Sequence, residues 1–294
     1  MTKIITDSGC DLSSDIIEEL GIDILSIIVT NNGTEYRDIV DISSDKMFEM
    51  QRAGESFSTS QIPLYDYLVK FEELAKNNQD FIYISLSSGV TGCYNNSLLA
   101  IEELGKKYPG VKMKSVDSRC ASVGSGLMNY YAALAAKNGA SFNQILEIIE
   151  YLKAHIKHIF TVFDMEHLYR GGRISRASNC VGKILNIRPL IEVRDGRLEV
   201  KELVKGNKKT YKRITEIIEK STNRNSKNET IFIICGEKLE PAEELEENLA
   251  GKIDSNIKMQ KVGCTIGAHT GPDIIGAAYL DADLPDELLK YLED

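Results

Sequence analysis

Ten residues between two predicted secondary-structure elements combine hydroxyl groups with glycines. From Ser85 to Tyr94 the chain reads Ser-Leu-Ser-Ser-Gly-Val-Thr-Gly-Cys-Tyr, between an apolar strand and the start of a helix. Backbone N–H groups and the helix dipole at such a turn favour an anion, and glycine lets a ligand come close. Ser88, Thr91 and Gly92 are therefore candidate residues for binding a small anionic group. The alternative is an elaborate helix N-cap without a ligand.

A second set of candidates lies in the C-terminal half of the chain. The segment 263–272 places His269 and Thr270 in a predicted glycine-rich loop after a strand, where a histidine is more useful for binding than for packing. Arg173 follows the pair 171–172, two glycines, just before another predicted helix. Its guanidinium could reach an acidic ligand or partner, or join two domains through a salt bridge.

Shorter polar groups follow other predicted strands. Thr59 and Ser60 precede Gln61 and Pro63 at the end of a strand-like stretch, and they complete the set of candidate ligand-binding residues. Asp7-Ser8 ends the first strand, where a doubly wound sheet meets its ligands. Asp11 or Ser13 could instead cap the next helix. Each of these groups is weak by itself.

The elements that must position these residues alternate between short apolar runs and segments of helical periodicity, which predicts an α/β fold with parallel sheets. We predict two α/β domains, residues 1–157 with a doubly wound parallel sheet and residues 158–294 with a mixed sheet, and a ligand between them. In the first domain the predicted strands are Ile4–Thr6, Ile24–Val29, Phe81–Ser85 and Val111–Val116, and the predicted helices are 44–51, 65–75, 94–106 and 126–137. In the second domain, Asp195-Gly196 predicts a tight hairpin between strands 187–193 and 198–204.

Composition excludes several classes of protein. The 294 residues carry a net charge of −9 with a pI near 5.2, which disfavours binding to a nucleic-acid backbone. No stretch has the roughly 18 consecutive apolar residues of a membrane-spanning helix, and the N-terminus lacks the pattern of a signal peptide, so we expect a cytoplasmic protein. Six cysteines are scattered singly, which predicts reduced thiols and no disulfide framework or metal knuckle. His155 and His158 would share a helix face but lack nearby ligands, so no metal site is expected.

The polar segments taken in order resemble the DegV family. The resemblance covers nearly the whole chain and keeps the order and spacing of the motifs. They are Asp7-Ser8, Asp11-Leu12, Thr59-Ser60-Gln61, Ser88-Gly89 with Gly92 and Tyr94, Asp117-Ser118, Gly171-Gly172-Arg173-Ile174-Ser175, Arg188-Pro189 and His269-Thr270-Gly271-Pro272. This chain departs from the usual Ser-Gly-Thr-Tyr step, because Thr91 and Cys93 stand at its first and third positions.

The resemblance implies a carrier and not a catalyst. It implies that two α/β domains enclose one long-chain fatty acid, whose carboxylate is held by Thr59, Thr91 and His269, and that no other cofactor is needed. Family members of known role deliver the acid to a separate fatty acid kinase, which makes an acyl phosphate for phospholipid synthesis. Arg173 is expected near the mouth of the cavity or on the partner surface.

Two alternatives stay open at this stage. The protein could be a hydrolase of acyl substrates that uses His269 as base and Ser88 or Thr91 as nucleophile. It could also be an interaction module, because basic residues cluster around one predicted helix in an acidic chain. They are Lys205, Lys208, Lys209, Lys212 and Arg213.

Overall fold

The computed structural model describes residues 1–175, 186–222 and 229–292 of the chain. In chain order, the strands are β1 (Lys3–Asp7), β2 (Asp23–Leu25), β3 (Ile28–Asn31), β4 (Thr34–Arg37), β5 (Phe57–Ser60), β6 (Phe81–Ser85), β7 (Met113–Asp117), β8 (Ile156–Thr161), β9 (Ile187–Arg194), β10 (Arg197–Lys205), β11 (Thr230–Cys235), β12 (Asn256–Lys261) and β13 (Ile275–Leu280). The helices are α1 (Ser14–Leu20), α2 (Ser44–Arg52), α3 (Leu64–Lys76), α4 (Cys93–Lys107), α5 (Val123–Lys137), α6 (Phe142–His155), α7 (Glu166–Arg170), α8 (Asn207–Ser221), α9 (Glu240–Ala250), α10 (Cys264–Thr270) and α11 (Asp286–Leu289).

The N-terminal half contains a four-stranded parallel sheet with the order β2-β1-β6-β7. Its central strand β6 is buried along its whole length, as expected for a parallel strand covered on both faces. Helices α3 and α4 pack together on one face, and α5, which is buried almost throughout, contacts β1 on the other. This arrangement confirms the predicted doubly wound sheet.

The C-terminal half contains a six-stranded mixed sheet with the order β10-β9-β8-β13-β11-β12. Strands β11 and β12 run parallel, whereas β13 runs antiparallel to both β11 and β8. The predicted hairpin is present as β9 and β10, and Asp195 and Gly196 both adopt the positive φ angles that a tight turn requires. The predicted mixed sheet is therefore confirmed.

The segment 24–29 is predicted as one strand, but in the structure it is divided between two strands. It forms β2 in the parallel sheet and β3 in a separate antiparallel sheet with the order β4-β3-β5. The run is apolar apart from Ser26, but the chain passes from one sheet to the other within it. This small sheet matters because β5 carries Thr59.

The predicted boundary at residue 157 falls within β8, which begins the six-stranded sheet at Ile156. Helix α6 precedes this strand and starts at a capping box, in which Ser141 and Gln144 satisfy each other's backbone N–H groups. The division of the chain into 1–157 and 158–294 stays a prediction.

The cysteines that the structure describes are buried and form no disulfide with one another, whereas Cys180 lies outside the described residues. In the described part of the chain, no helix has both the length and the apolar character needed to cross a membrane. Over the same residues, no group of three or more His, Cys, Asp or Glu side chains is arranged to hold a metal ion.

Candidate functional site

A mostly apolar cavity lies between the six-stranded sheet and the segments that follow β6 and β7. It has about 780 Å³ of empty space, including the part that opens to solvent. The cavity is narrow, because the centre of a water molecule can occupy only about 80 Å³ of that space. Most of its wall is aliphatic or aromatic, with Ile27, Leu86, Val90, Phe160, Leu198 and Ile234 among the lining side chains.

Thr59 and His269 meet in the wall of this cavity. Thr59 Oγ1 lies 2.7 Å from His269 Nε2, and the donor of this hydrogen bond depends on the histidine tautomer. Thr59 comes from β5 in the N-terminal half and His269 from α10 in the C-terminal half. The structure thus joins two residues that are 210 positions apart in sequence.

The ring of His269 is buried against a glycine. A Cβ atom on Gly171 would lie 2.1 Å from His269 Nδ1, so a side chain at position 171 would displace the imidazole. Nδ1 has no hydrogen-bond partner among the described residues. Burial, together with the charge of Arg173 and the ring of His167, lowers the pKa of His269 to about 3. The imidazole is therefore neutral near pH 7.

Arg173 brings a cationic group to the same cavity. Its Nε donates to the carbonyl of Val90 over 3.1 Å and its Nη1 to the carbonyl of Gly171 over 2.5 Å, which leaves further N–H donors of the guanidinium. Within residues 1–175, 186–222 and 229–292, no carboxylate pairs with it, and burial alone lowers its pKa. The structure therefore does not show the interdomain salt bridge considered for Arg173.

Thr91 lines the cavity beside Val90, the residue whose carbonyl Arg173 holds. Its hydroxyl contacts Cys93, with Oγ1 3.2 Å from the sulfur. Gly92 forms the N-cap of α4 and lies outside the lining. A Cβ on Gly92 would overlap the side-chain oxygen of Gln61, so this glycine permits close packing between two candidate segments.

Three other candidates are placed differently. Ser88 lies outside the cavity, where its Oγ donates to Asp117 Oδ2 over 2.5 Å, so the structure does not bring it to His269. Ser60 is exposed on β5 and is also outside the lining. Thr270 lines the cavity, but its hydroxyl donates to the backbone carbonyl of Ile266 over 3.1 Å.

The segment that carries His269 is helical, and the prediction of a loop there is wrong. Residues Cys264–Thr270 form α10, whose N-cap Gly263 offers no side chain to its first turn. Asp38 from the N-terminal half takes that role. Its carboxylate accepts the backbone N–H groups of Cys264 and Thr265 over 3.2 and 3.0 Å, and the Thr265 hydroxyl over 2.5 Å.

Asp11 also holds the start of α10. It accepts the N–H of Gly263 over 2.8 Å and the hydroxyl of Ser122 over 2.5 Å, and it does not cap α1 as considered from the sequence. Burial raises its pKa to about 8. Sequence reasoning missed Asp38 entirely, because a single acidic residue between Arg37 and Ile39 carries no local signal.

His158, which the sequence predicts on a helix with His155, lies elsewhere in the structure. It lies on β8 and lines the cavity, and its Nε2 accepts the N–H of Ala121 over 3.4 Å. Burial lowers its pKa to about 4. The helical period of α6 ends at residue 155, so the two histidines do not share a helix face.

A sequence model of the DegV family, described as an uncharacterised protein of that family, matches residues 1–282 of this chain. A DegV domain-containing protein of Clostridium perfringens is 37% identical over 281 residues, which are 94% of this chain and 96% of that protein. A second DegV domain-containing protein, from Caldanaerobacter subterraneus, is 30% identical over 277 residues, 94% of this chain and 97% of its own.

Solved structures share the same fold over nearly the whole chain. A DegV family protein of Thermus thermophilus, described as binding fatty acid, superposes with a TM-score of 0.86 at 26% identity, covering 95% of this chain and 99% of its own. A stearic acid-binding protein of Eubacterium ventriosum gives a TM-score of 0.85 at 26% identity, covering 95% and 98%. DegV of Bacillus subtilis, described as a fatty acid binding protein, gives 0.82 at 26%, with the same coverage.

Proposed function

Because the chain belongs to the DegV family, we propose that it binds one long-chain fatty acid, with the carboxylate at Thr59, Thr91, Arg173 and His269. The observation that carries the proposal is the pairing of an apolar cavity with a cationic, hydroxyl-lined end that no protein carboxylate neutralises within the described residues. The fatty acids bound by the solved relatives support it.

The two parts of the cavity have different tasks in this proposal. A tail of sixteen carbons buried at about 0.8 kcal/mol per methylene contributes on the order of 12 kcal/mol before the costs of binding. A hydrogen bond to a charged head group adds only about 1.5–3 kcal/mol. The tail therefore supplies most of the affinity, and the polar end fixes the orientation of the acid.

The histidine acts through its neighbour. With its proton on Nε2, the neutral ring of His269 donates to Thr59, and the Thr59 hydroxyl then turns its own proton to the carboxylate. Arg173 supplies a positive charge and further donors to the carboxylate, because a buried charge needs hydrogen-bonding partners. Arg173 has N–H donors left for this purpose after its two bonds to backbone carbonyls.

Replacement of Arg173 tests the head-group assignment. We expect Arg173→Met to lower the affinity for palmitate about tenfold, because one charged hydrogen-bonding partner is lost, and Arg173→Lys to recover most of it. Calorimetric titration should show unchanged binding of hexadecanol, which has the same tail but no charge. Arg194→Met is the matched control, since Arg194 is exposed on β9 and outside this cavity. Unchanged palmitate affinity in Arg173→Met would contradict the assignment.

We further propose, from the family resemblance, that the protein presents the acid to a separate fatty acid kinase and is not itself the catalyst. In that reaction a carboxylate oxygen attacks the γ-phosphorus of ATP, and ADP leaves. Ser60 and Gly172 are exposed next to Thr59 and Arg173, so a partner can approach the chain beside two of the residues proposed for the carboxylate. The basic helix α8 offers a docking surface, where Lys208, Lys209 and Lys212 are exposed.

A coupled assay tests the presentation of the acid. With purified fatty acid kinase, ATP and palmitate, acyl phosphate trapped as the hydroxamate should form only when both proteins are present. The double substitution Lys208→Glu/Lys212→Glu should slow its formation severalfold through charge repulsion without lowering palmitate affinity. Lys106→Glu, on the exposed end of α4, is the control. Loss of bound ligand in the double variant would contradict docking through α8.

A further inference from the structure

A second cavity, the polar cavity, lies next to the apolar cavity of the candidate site. It has about 1210 Å³ of empty space, including the part that opens to solvent, and the centre of a water molecule can occupy about 490 Å³ of it. Of the described residues, His158 and Val193 line both cavities and so form the wall between them. The lining of the polar cavity includes charged side chains of both signs, from Arg119, Lys153, Lys157, Lys201, Glu192 and Asp281.

Strand β8 places His158 away from the residues proposed for the carboxylate. His158 precedes Phe160, which also lines the apolar cavity, and the strand ends at Thr161. From there the chain continues through α7 to Gly171, which is packed against the ring of His269. The end of β8 therefore points toward the proposed head-group site, and His158 lies about 10 Å before that end, at about 3.3 Å per residue.

The antiparallel neighbour of β8 gives the same order. Strand β13 begins shortly after Thr270, at Ile275 beside Thr161, and it continues to Ala278 beside His158. In both strands, the end that is close in the chain to the proposed head-group site is opposite to the end that carries or contacts His158. An acid with its carboxylate at that site would therefore extend its tail along β8 toward His158.

The imidazole of His158 fills the wall as a neutral ring. Its Nε2 accepts the N–H of Ala121 over 3.4 Å, and a Cβ atom on Gly124 would lie only 1.7 Å from the same nitrogen. The residue is 8% exposed, and its low pKa keeps the ring uncharged near pH 7. Because the ring occupies this space on the first turn of α5, its removal would leave a passage between the two cavities.

We propose that His158 limits the acyl tail by separating the apolar cavity from the polar cavity, an inference that rests on the proposed function. A longer chain would have to displace the ring, and a packed interior resists additional methylenes. A polar group at the end of the tail is excluded as well, because it would be buried without hydrogen-bonding partners. His158 therefore makes the protein selective for acids of limited length with an apolar end.

Removal of the ring in His158→Ala should join the two cavities. The probe is eicosanedioic acid, a chain of twenty carbons with a carboxyl group at each end. We expect its affinity relative to palmitate to rise at least about tenfold, because its second carboxylate can reach the water and the cations of the polar cavity. His158→Phe should keep the ratio of the original protein, since it keeps the bulk of the ring. Competition between the two acids for the delipidated proteins, measured by native mass spectrometry, gives these ratios.

Ile234→Ala is the matched control, because Ile234 lines the apolar cavity but not the polar cavity. This substitution enlarges the apolar space without opening it to charged surroundings, so the diacid should stay excluded.

Val193→Ala makes the same wall thinner from β9, and it should shift the ratio in the same direction as His158→Ala by a smaller factor. It also tests the wall if His158→Ala does not fold. The inference is overturned if the folded wall variants leave the ratio unchanged, or if Ile234→Ala raises it as much as they do. Failure of the unsubstituted protein to bind palmitate would instead overturn the proposed function, and this inference with it.

Discussion

Replacing His269 with alanine is expected to lower palmitate affinity by about 30- to 100-fold, the largest effect on binding that we predict. His269 Nε2 is the partner of Thr59 at 2.7 Å, so its removal frees the Thr59 hydroxyl to rotate and the head group loses the oriented donor that Thr59 provides. A lost hydrogen bond to a charged group is worth about 1.5–3 kcal/mol, and each 1.4 kcal/mol is about tenfold in affinity.

The pair with Thr59 provides a stricter version of this test. Thr59→Val keeps the shape of the side chain and should lose about as much affinity as His269→Ala, because it removes the hydroxyl through which His269 acts. The double variant should bind only slightly more weakly than His269→Ala, because the two residues act through one shared hydrogen bond and their effects are not additive. His155→Ala is the control, since His155 pairs with Asp281 outside the cavity. Additive losses, or an equal loss of hexadecanol binding, would contradict a shared role at the carboxylate.

The second large effect is on stability, and it concerns Asp38. We expect Asp38→Ala to lower the free energy of unfolding by about 3 kcal/mol, because two backbone N–H groups and one hydroxyl lose their acceptor in a buried site, at roughly 1–3 kcal/mol for each such group. Asp38 itself is 0% exposed. For a chain of this size the melting temperature should fall by about 5 °C.

Asp41→Ala is the matched control for Asp38→Ala. Asp41 lies three residues later and pairs with Arg37 at the surface, so its loss should leave the melting temperature unchanged. Palmitate affinity should also fall in Asp38→Ala, because the helix that carries His269 loses its contact with the N-terminal half. If Asp38→Ala had the same melting temperature as the original protein, the packing of α10 would not depend on Asp38.

The sequence indicated most of the elements correctly because their hydrophobic patterns are local. Strand Phe81–Ser85 is present with the predicted bounds, and the Asp195-Gly196 turn forms the expected hairpin. The division of residues 24–29 between two sheets could not be predicted, because it depends on which distant strands they pair with. The loop predicted around His269 became a helix for a similar reason, since its N-terminal acceptor, Asp38, lies 226 residues before Cys264.

The candidate site, too, could be predicted only in part from the sequence. Thr59, Thr91, Arg173 and His269 were named from the sequence and do line one cavity, and the family resemblance supplied much of that selection. Ser60 and Ser88 have the same residue types in the same segments but lie outside the cavity. The contact between the hydroxyl groups of Tyr67 and Tyr83 had no sequence signal, because both residues have the pattern of core residues and their hydroxyl groups meet only in three dimensions.

The most direct test of the account is to identify what the purified protein contains. Native mass spectrometry of the intact protein, together with mass spectrometry of its organic extract, should show one long-chain fatty acid per chain, or uptake of one equivalent when palmitate is added to the delipidated protein. A protein that is empty after purification and takes up no added fatty acid would contradict the proposed function.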